Sequence, residues 1–159
     1  MKKIIIYAAI TLGLIGPFFL TSCKKEEPIK PKTKTELLCS SSWKVYEGTI
    51  NPGINIGGVI ITDLFSQFDP CDKDDLELYK SNGTGIFDEG PMKCDPLDLQ
   101  TSTFTWTFNL DETKLIQDTD TYDIIQLDEK ILKVSMIIDG ADIGGVAGVK
   151  YVFTLTYKH

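Results

Sequence analysis

The chain has 159 residues, and its 23 Asp and Glu residues outnumber its 16 lysines, which gives a formal net charge of −7 at pH 7. Because an acidic chain without arginine lacks the bidentate phosphate contacts of nucleic-acid binders, we expect no nucleic-acid partner. His159 is the one histidine of the sequence, and no glycine-rich loop joins a strand to a helix. These features leave no base for a Ser or Cys nucleophile and no phosphate cradle, so we expect neither catalysis nor a cofactor.

Residues 1–22 resemble a lipoprotein signal peptide. Lys2 and Lys3 precede an apolar stretch, residues 4–20, which is shorter than the roughly 20 residues that cross a bilayer comfortably. A retained transmembrane helix is therefore the weaker alternative. Residues 20–23, Leu-Thr-Ser-Cys, resemble the bacterial lipobox, which implies cleavage before Cys23, a diacylglycerol on its thiol and palmitate among its acyl chains. An ordinary signal peptide would instead leave an exposed free thiol.

Residues 23–36 are predicted to form a flexible tether after the lipidated cysteine. Lysines alternate there with glutamates and prolines, a composition that cannot bury apolar surface. Residues 25–27, Lys-Glu-Glu, resemble the export signal that sends lipoproteins to the outer surface in some Gram-negative lineages. We therefore expect a lipid anchor in the bacterial outer membrane and exposure at the cell surface. If residues 25–27 are only a hydrophilic linker, the protein would instead face the periplasm. We expect a monomer.

Residues 37–159 are predicted to form one all-β domain. In residues 103–109, Phe104, Trp106 and Phe108 alternate with threonines, so one face of the strand is apolar and the other polar. Similar runs recur along the domain. Eight strands are expected, at residues 43–50, 75–80, 84–88, 103–109, 114–118, 121–127, 130–138 and 149–158.

The connections between these strands predict an eight-stranded antiparallel up-and-down barrel. Residues 81–83, 110–113 and 128–129 are tight turns that join neighbouring strands, whereas the first, third and seventh connections are long. In a meander every second connection lies at the same end, so the long ones meet at one mouth. A short helix capped by Thr62 is expected at residues 62–68 in the first connection, where it would cover the mouth.

The cysteines test this arrangement. Cys71 and Cys94 fall in long connections at the same mouth, so in an exported protein we expect them to form a disulfide. Zinc would need further soft ligands, and the acidic run around Asp72 lacks the ligand spacing of an EF-hand calcium loop, so no metal site is predicted. Cys39 is expected to be a buried, inert thiol.

With strands and cysteines placed, the chain resembles the lipocalin-like domain of bacterial lipoproteins. The resemblance rests on LLCSSSWKV at residues 37–45, CDKDDLELYKSNGTG at 71–85, Cys94 and YVFTLTYK at 151–158. Lipocalins open with a Gly-x-Trp motif whose tryptophan lies beneath an arginine. Here Trp43 matches, Ser41 replaces the glycine, and Lys158 is expected to supply the cation over the Trp43 ring.

The resemblance implies that a small hydrophobic or amphipathic ligand binds at the barrel mouth or interior. The acidic mouth favours a neutral or cationic head group over an anionic one. Alternatively, aromatic rings fill the barrel and the long loops contact a protein or glycan partner, with Tyr46, Tyr79 or Met92 exposed. The candidate ligand contacts are the bulky side chains predicted to face inward or to cover the mouth: Phe65, Phe68, Phe87, Trp106, Met136, Tyr151 and Phe153.

Replacing the lipidated residue tests the anchor. Cys23→Ala is expected to release the protein from the membrane fraction or to leave an unprocessed precursor, because the acyl chains attach to this thiol. Membrane fractionation and intact-mass measurement report the outcome, with Cys39→Ala as the control. A processed and acylated Cys23→Ala protein would contradict the lipobox interpretation.

Overall fold

The computed structural model describes residues 30–159. The predicted signal peptide, Cys23 and most of the tether lie outside the described residues. From residue 31 onward the chain forms one compact unit. Its elements are helix α1 (Lys34–Leu38), strands β1 (Ser42–Ile56), β2 (Val59–Asp63), β3 (Leu76–Lys80), β4 (Thr84–Asp88), β5 (Thr101–Phe108), β6 (Lys114–Gln117), β7 (Asp120–Leu127), β8 (Ile131–Asp139) and β9 (Lys150–Lys158), and two short 3₁₀ helices, Phe65–Gln67 and Gly140–Ile143.

The predicted barrel is confirmed. Strands β3 to β9 pair in chain order, each antiparallel to the next, and β1 lies between β3 and β9. Residues Lys44 to Asn51 of β1 pair with β9, and this closes the sheet into eight strands. Closure leaves fewer unpaired strand edges than an open sheet of the same strands would have. β2 is an extra strand that pairs with the second half of β1, from Thr49 to Ile56.

The first connection differs from its predicted form. The first strand was expected to end at residue 50, but it continues to Ile56, and Ile54–Ile56 pairs with Val59–Ile61 in a hairpin whose turn holds Gly57 and Gly58 at φ +60° and +90°. The short helix expected in this connection is present, but it is a single 3₁₀ turn at Phe65–Gln67 rather than residues 62–68, because Thr62 belongs to β2 and remains extended. The Asp63 side chain, not that of Thr62, accepts a hydrogen bond from the Ser66 amide at 3.0 Å.

Helix α1 closes one end of the barrel, which we call the base. Thr33 and Glu36 form a capping box at its start, so residues 34–36, assigned above to the tether, are helical. Leu38 at its end is fully buried, and the indole Nε1 of Trp43 donates to the Leu38 carbonyl at 2.8 Å. The helix therefore seals the base through both apolar contact and a buried hydrogen bond.

His159, not Lys158, lies against the Trp43 ring. The ring centroids of His159 and Trp43 are 3.9 Å apart, and His159 Nδ1 lies 2.9 Å from the Ser42 carbonyl oxygen. The prediction for Lys158 was wrong because neighbouring strand residues face opposite sides. Tyr157 packs against the core, so Lys158 points outward and places its Nζ 3.4 Å from the centre of the Tyr46 ring.

Aromatic rings fill the barrel near the base. Tyr79 meets Phe104 and Trp106 edge to face at 5.2 and 5.7 Å, and Trp106 meets Phe108 in the same way at 5.4 Å. Gly85, which pairs with Phe104, leaves room for that ring, since an added Cβ would come within 2.1 Å of it. This part of the interior is packed.

The opposite end, the mouth, carries three long connections, residues 64–75, 89–100 and 140–149. Cys71 and Cys94 form the predicted disulfide across the first two, with their Cα atoms 5.2 Å apart. Cys39 is a free thiol at the base, partly buried against the core, and burial raises its pKa. The disulfide thus fixes the connection 64–75 to the neighbouring one.

Removing the disulfide is expected to destabilise the barrel. The cysteines are 23 residues apart, and closing a loop of that size is worth about 3 kcal/mol in the chain-entropy account. The double variant Cys71→Ser, Cys94→Ser should therefore lose about that much free energy of unfolding in urea denaturation. Cys39→Ala is the control. A double variant as stable as that control would contradict the prediction.

Candidate functional site

The barrel contains a pocket of about 190 Å³ between β1, β3, β4, β9 and the mouth connection 64–75. We call it the acidic pocket. Its walls combine aromatic and aliphatic side chains with carboxylates. The lining residues are Trp43, Val45, Phe68, Asp72, Asp75, Glu77, Phe87, Leu155 and Tyr157.

Strand register places the inner wall of this pocket. Glu77 of β3 lies between Trp43 of β1 and Phe87 of β4, directly opposite each in the sheet. On the other side of β1, Val45 lies opposite Tyr157 of β9. Because directly opposite residues share a face, the buried Trp43 side chain fixes Glu77 and Phe87 on the inside.

Glu77 brings a carboxylate into the barrel interior. The Tyr79 hydroxyl donates to its Oε2 at 2.6 Å, and the Tyr157 and Gln117 side chains also hydrogen-bond to it. Burial raises the pKa of Glu77, while these three hydrogen bonds act in the opposite direction. The pKa values of Tyr79 and Tyr157 are raised well above their usual range, first by burial and then by the Glu77 charge. The tyrosines therefore stay protonated as donors.

Asp72 and Asp75 line the pocket at the mouth. Asp75 Oδ1 is shielded from solvent and has no hydrogen-bond partner among residues 30–159. Burial is the largest cause that raises the Asp75 pKa to about 6, and the charges of Glu89, Asp72, Asp74 and Asp88 add to it. Negative charge is thus concentrated here without a hydrogen-bond donor for this oxygen.

The neighbouring lysine points away from this cluster. Lys73 places its Nζ 5.2 Å from the centre of the Phe65 ring, on the outer side of the connection. There it lines a groove of about 630 Å³, the outer groove. The other lining residues of the outer groove are Lys44, Val45, Tyr46, Glu47, Phe65, Lys158 and His159. Three lysines and one carboxylate, Glu47, thus line the outer groove, whereas the acidic pocket carries three carboxylates and no lysine.

The structure divides the predicted ligand contacts among several places. Phe68 and Phe87 line the acidic pocket, whereas Phe65 lines the outer groove. Met136 and Phe153 border a separate cavity of about 70 Å³. Trp106 and Tyr151 are buried: the Trp106 indole donates to the carbonyls of Lys80 and Thr84, and Tyr151 packs beside Gly140 and Gly145.

Sequence reasoning did not identify Asp72, Asp75 or Glu77 as pocket residues. The acidic run around Asp72 was considered as a calcium loop, and Glu77 was not assigned a face. The alternation of Glu77 with Tyr79 places both on one face of β3, but the opposite face carries two leucines, so these five residues alone do not show which face is the inner one. Cys71, Asp72 and Cys94 approach one another closely, but both sulfurs belong to the disulfide and cannot serve as thiolate ligands.

Asp75 should make stability depend on pH. Its folded pKa of about 6 exceeds the ordinary value of 3.8, so the folded state binds more protons than the unfolded state between these values. The free energy of unfolding should therefore fall as pH rises through this window. Asp75→Asn should remove that part of the decrease and raise the melting temperature at pH 7.5. Thermal melts from pH 4 to pH 8 measure both.

Asp142→Asn is the matched control, because it removes the same charge from an exposed carboxylate elsewhere at the mouth. It should leave the slope of melting temperature against pH unchanged. If Asp75→Asn and the wild type show the same slope, the surroundings of Asp75 do not raise its pKa, and the prediction is contradicted.

Comparisons with known proteins do not assign a family. No protein-family model matches the chain, and no curated protein matches it. Within residues 30–159, no helix is both long and apolar enough to cross a membrane. Function is therefore inferred from the geometry and charge of the barrel.

Proposed function

We propose that this protein is a lipid-anchored, lipocalin-like lipoprotein that binds a small amphipathic molecule in the acidic pocket. The observation that supports this most is the composition of the pocket wall, where rings and carboxylates face one space inside a closed barrel. Ligand sites typically combine an apolar lining with a few placed polar groups. Binding without catalysis is the activity that this arrangement supports.

The walls suggest how such a molecule would be held. Phe87 offers apolar surface from β4, and Phe68 approaches from the mouth connection, with the fully buried Trp43 behind them. At about 190 Å³ the pocket is smaller than the roughly 300–1,000 Å³ typical of drug-sized ligands, so its occupant is correspondingly small. The polar part of the molecule would meet the carboxylates, and its apolar part the rings.

The N-terminal lipid would place this activity at a membrane. Cleavage before Cys23 and acylation would fix residue 23 to the outer membrane, with the tether as a spacer before α1. The basis for this is the lipobox resemblance alone. Export to the cell surface through residues 25–27 is part of the same proposal.

A second candidate function is supported by exposed apolar side chains at the mouth. The tip of the β1–β2 hairpin leaves Ile56, Val59 and Ile60 about 60% exposed, and Met92 is 52% exposed. Such side chains are common at surfaces that contact a protein partner. This candidate treats the pocket as incidental, so ligand binding separates the two.

Phe68→Ala tests the proposed ligand site. The neutral fluorescent probe 2-naphthol should bind the full chain, in a mild nonionic detergent, saturably. Phe68→Ala should weaken its affinity about tenfold, because an aromatic contact in a desolvated pocket is worth about 1–1.5 kcal/mol. The melting temperature should move little, since Phe68 lies in a connection rather than in the core.

Tyr46→Ala is the control, because it removes a ring that lines the outer groove and not the acidic pocket. Phe65→Ala would be unsuitable, because the Phe65 ring meets the Phe68 ring edge to face at 6.1 Å. The affinity of Tyr46→Ala for the probe should equal that of the wild type. No saturable binding by the wild type would favour the second candidate function. Equal losses in Phe68→Ala and Tyr46→Ala would exclude the acidic pocket as the probe site.

A further inference from the structure

The acidic pocket has a one-sided charge. Three of its lining residues are carboxylates, Asp72, Asp75 and Glu77, and its lining includes no lysine or histidine. Asp74, Asp88 and Glu89 lie near enough to raise the Asp75 pKa further. An anionic head group entering this space would meet only like charge, and removing it from water without a partner would cost several kcal/mol.

The carboxylates stand at two depths. Glu77 belongs to a strand and lies opposite Trp43 and Phe87, at the inner wall. Asp72 and Asp75 belong to the mouth connection, which the Cys71–Cys94 disulfide holds in place. A molecule that passes the mouth therefore meets carboxylate oxygens at the entrance and again at the wall.

The hydrogen-bonding needs of these groups differ. Glu77 already accepts bonds from Tyr79, Tyr157 and Gln117. Asp75 Oδ1 is shielded from solvent and accepts none within the described part of the chain. This shielded oxygen therefore adds negative charge beside the pocket without offering a contact surface, and a ligand that neutralises the charge gains more than one that brings only apolar surface.

Aromatic rings complete the environment. Phe68, Phe87 and Tyr157 line the same space as the carboxylates, and the fully buried Trp43 lies behind them. Ring faces attract cations, and this attraction grows when the cation is removed from water. The same rings accept the apolar part of an amphipathic molecule, so one ligand can use both kinds of contact.

We infer that the acidic pocket selects a small organic cation, a primary ammonium group carried on an apolar or aromatic body. The inference rests on the proposed ligand-binding function and names the class of ligand for the same site. The ammonium group supplies N–H donors to the lining carboxylates of Asp72, Asp75 and Glu77 and neutralises the charge that they share. The volume of about 190 Å³ suits a body the size of a single ring with a short chain.

Three probes that share a phenyl ring and a short chain test the inference. Isothermal titration calorimetry compares 2-phenylethylamine, 2-phenylethanol and 3-phenylpropionate against the full chain in nonionic detergent at pH 7.5. The amine should bind at least tenfold more tightly than the alcohol, and the carboxylate should not bind. Asp75→Asn should reduce the preference for the amine over the alcohol to about threefold or less.

A second pocket variant and a control variant complete the test. Glu77→Gln should also reduce the preference for the amine, and the melting temperature reports whether this buried change still folds; Asp142→Asn should retain the full preference. Equal binding of amine and alcohol, or tightest binding of the carboxylate, would overturn the inference while the proposed function stands. If no probe binds the wild type, the proposed function fails as well.

Discussion

One edge of β1 is shared between two strands, and the mouth of the barrel depends on this division. β1 pairs with β3 only at Ser42 and Trp43, whereas β2 occupies the same edge from Thr49 onward. The chain must then return from the end of β2 to the start of β3 across the gap. The connection 64–75 makes this crossing, starting with a hydrogen bond from the Leu64 amide to the Gly48 carbonyl. The acidic pocket lies beneath it.

The interior has a packed part and a polar part, and Tyr79 belongs to both. Its ring meets Phe104 and Trp106 edge to face, while its hydroxyl donates to Glu77. A carboxylate inside a barrel is tolerable only when donors replace its water, and Tyr79 provides one of them without leaving the aromatic cluster. The usual choice between a filled and a hollow barrel is therefore too coarse for this interior.

Strands with one clearly apolar face were predictable from the sequence. The inner face of a strand was not predictable where pairing with neighbouring strands decides it. In β5 the rings of Phe104 and Trp106 alternate with threonines, so local pattern and tertiary packing agree. In β3 the pattern is ambiguous, since Leu76 and Leu78 form one face and Glu77 and Tyr79 the other. Pairing with β1 and β4 sets Glu77 inside, and such long-range register is not visible in a five-residue run.

Three further features were missed because the local sequence pattern is typical of a different structure or depends on distant residues. Glycines at 57 and 58 indicate a loop, yet here they form the tight turn of the β1–β2 hairpin. The capping box of α1 was hidden in a polar stretch whose composition is typical of a spacer. The contact of His159 with the Trp43 ring was not predicted, because it depends on the direction in which the side chains at the end of the chain point.

The Cys71–Cys94 disulfide determines at which stage the repulsion between the crowded carboxylates must be overcome. Like charges on an untethered loop would drift apart, and a ligand would have to gather them again at the expense of its own affinity. Here the covalent link joins the segment that carries Asp72 and Asp75 to its neighbour, so the repulsion is met during folding. The proposed cation site is thus preorganised, because the disulfide holds its mouth carboxylates near one another before any ligand binds.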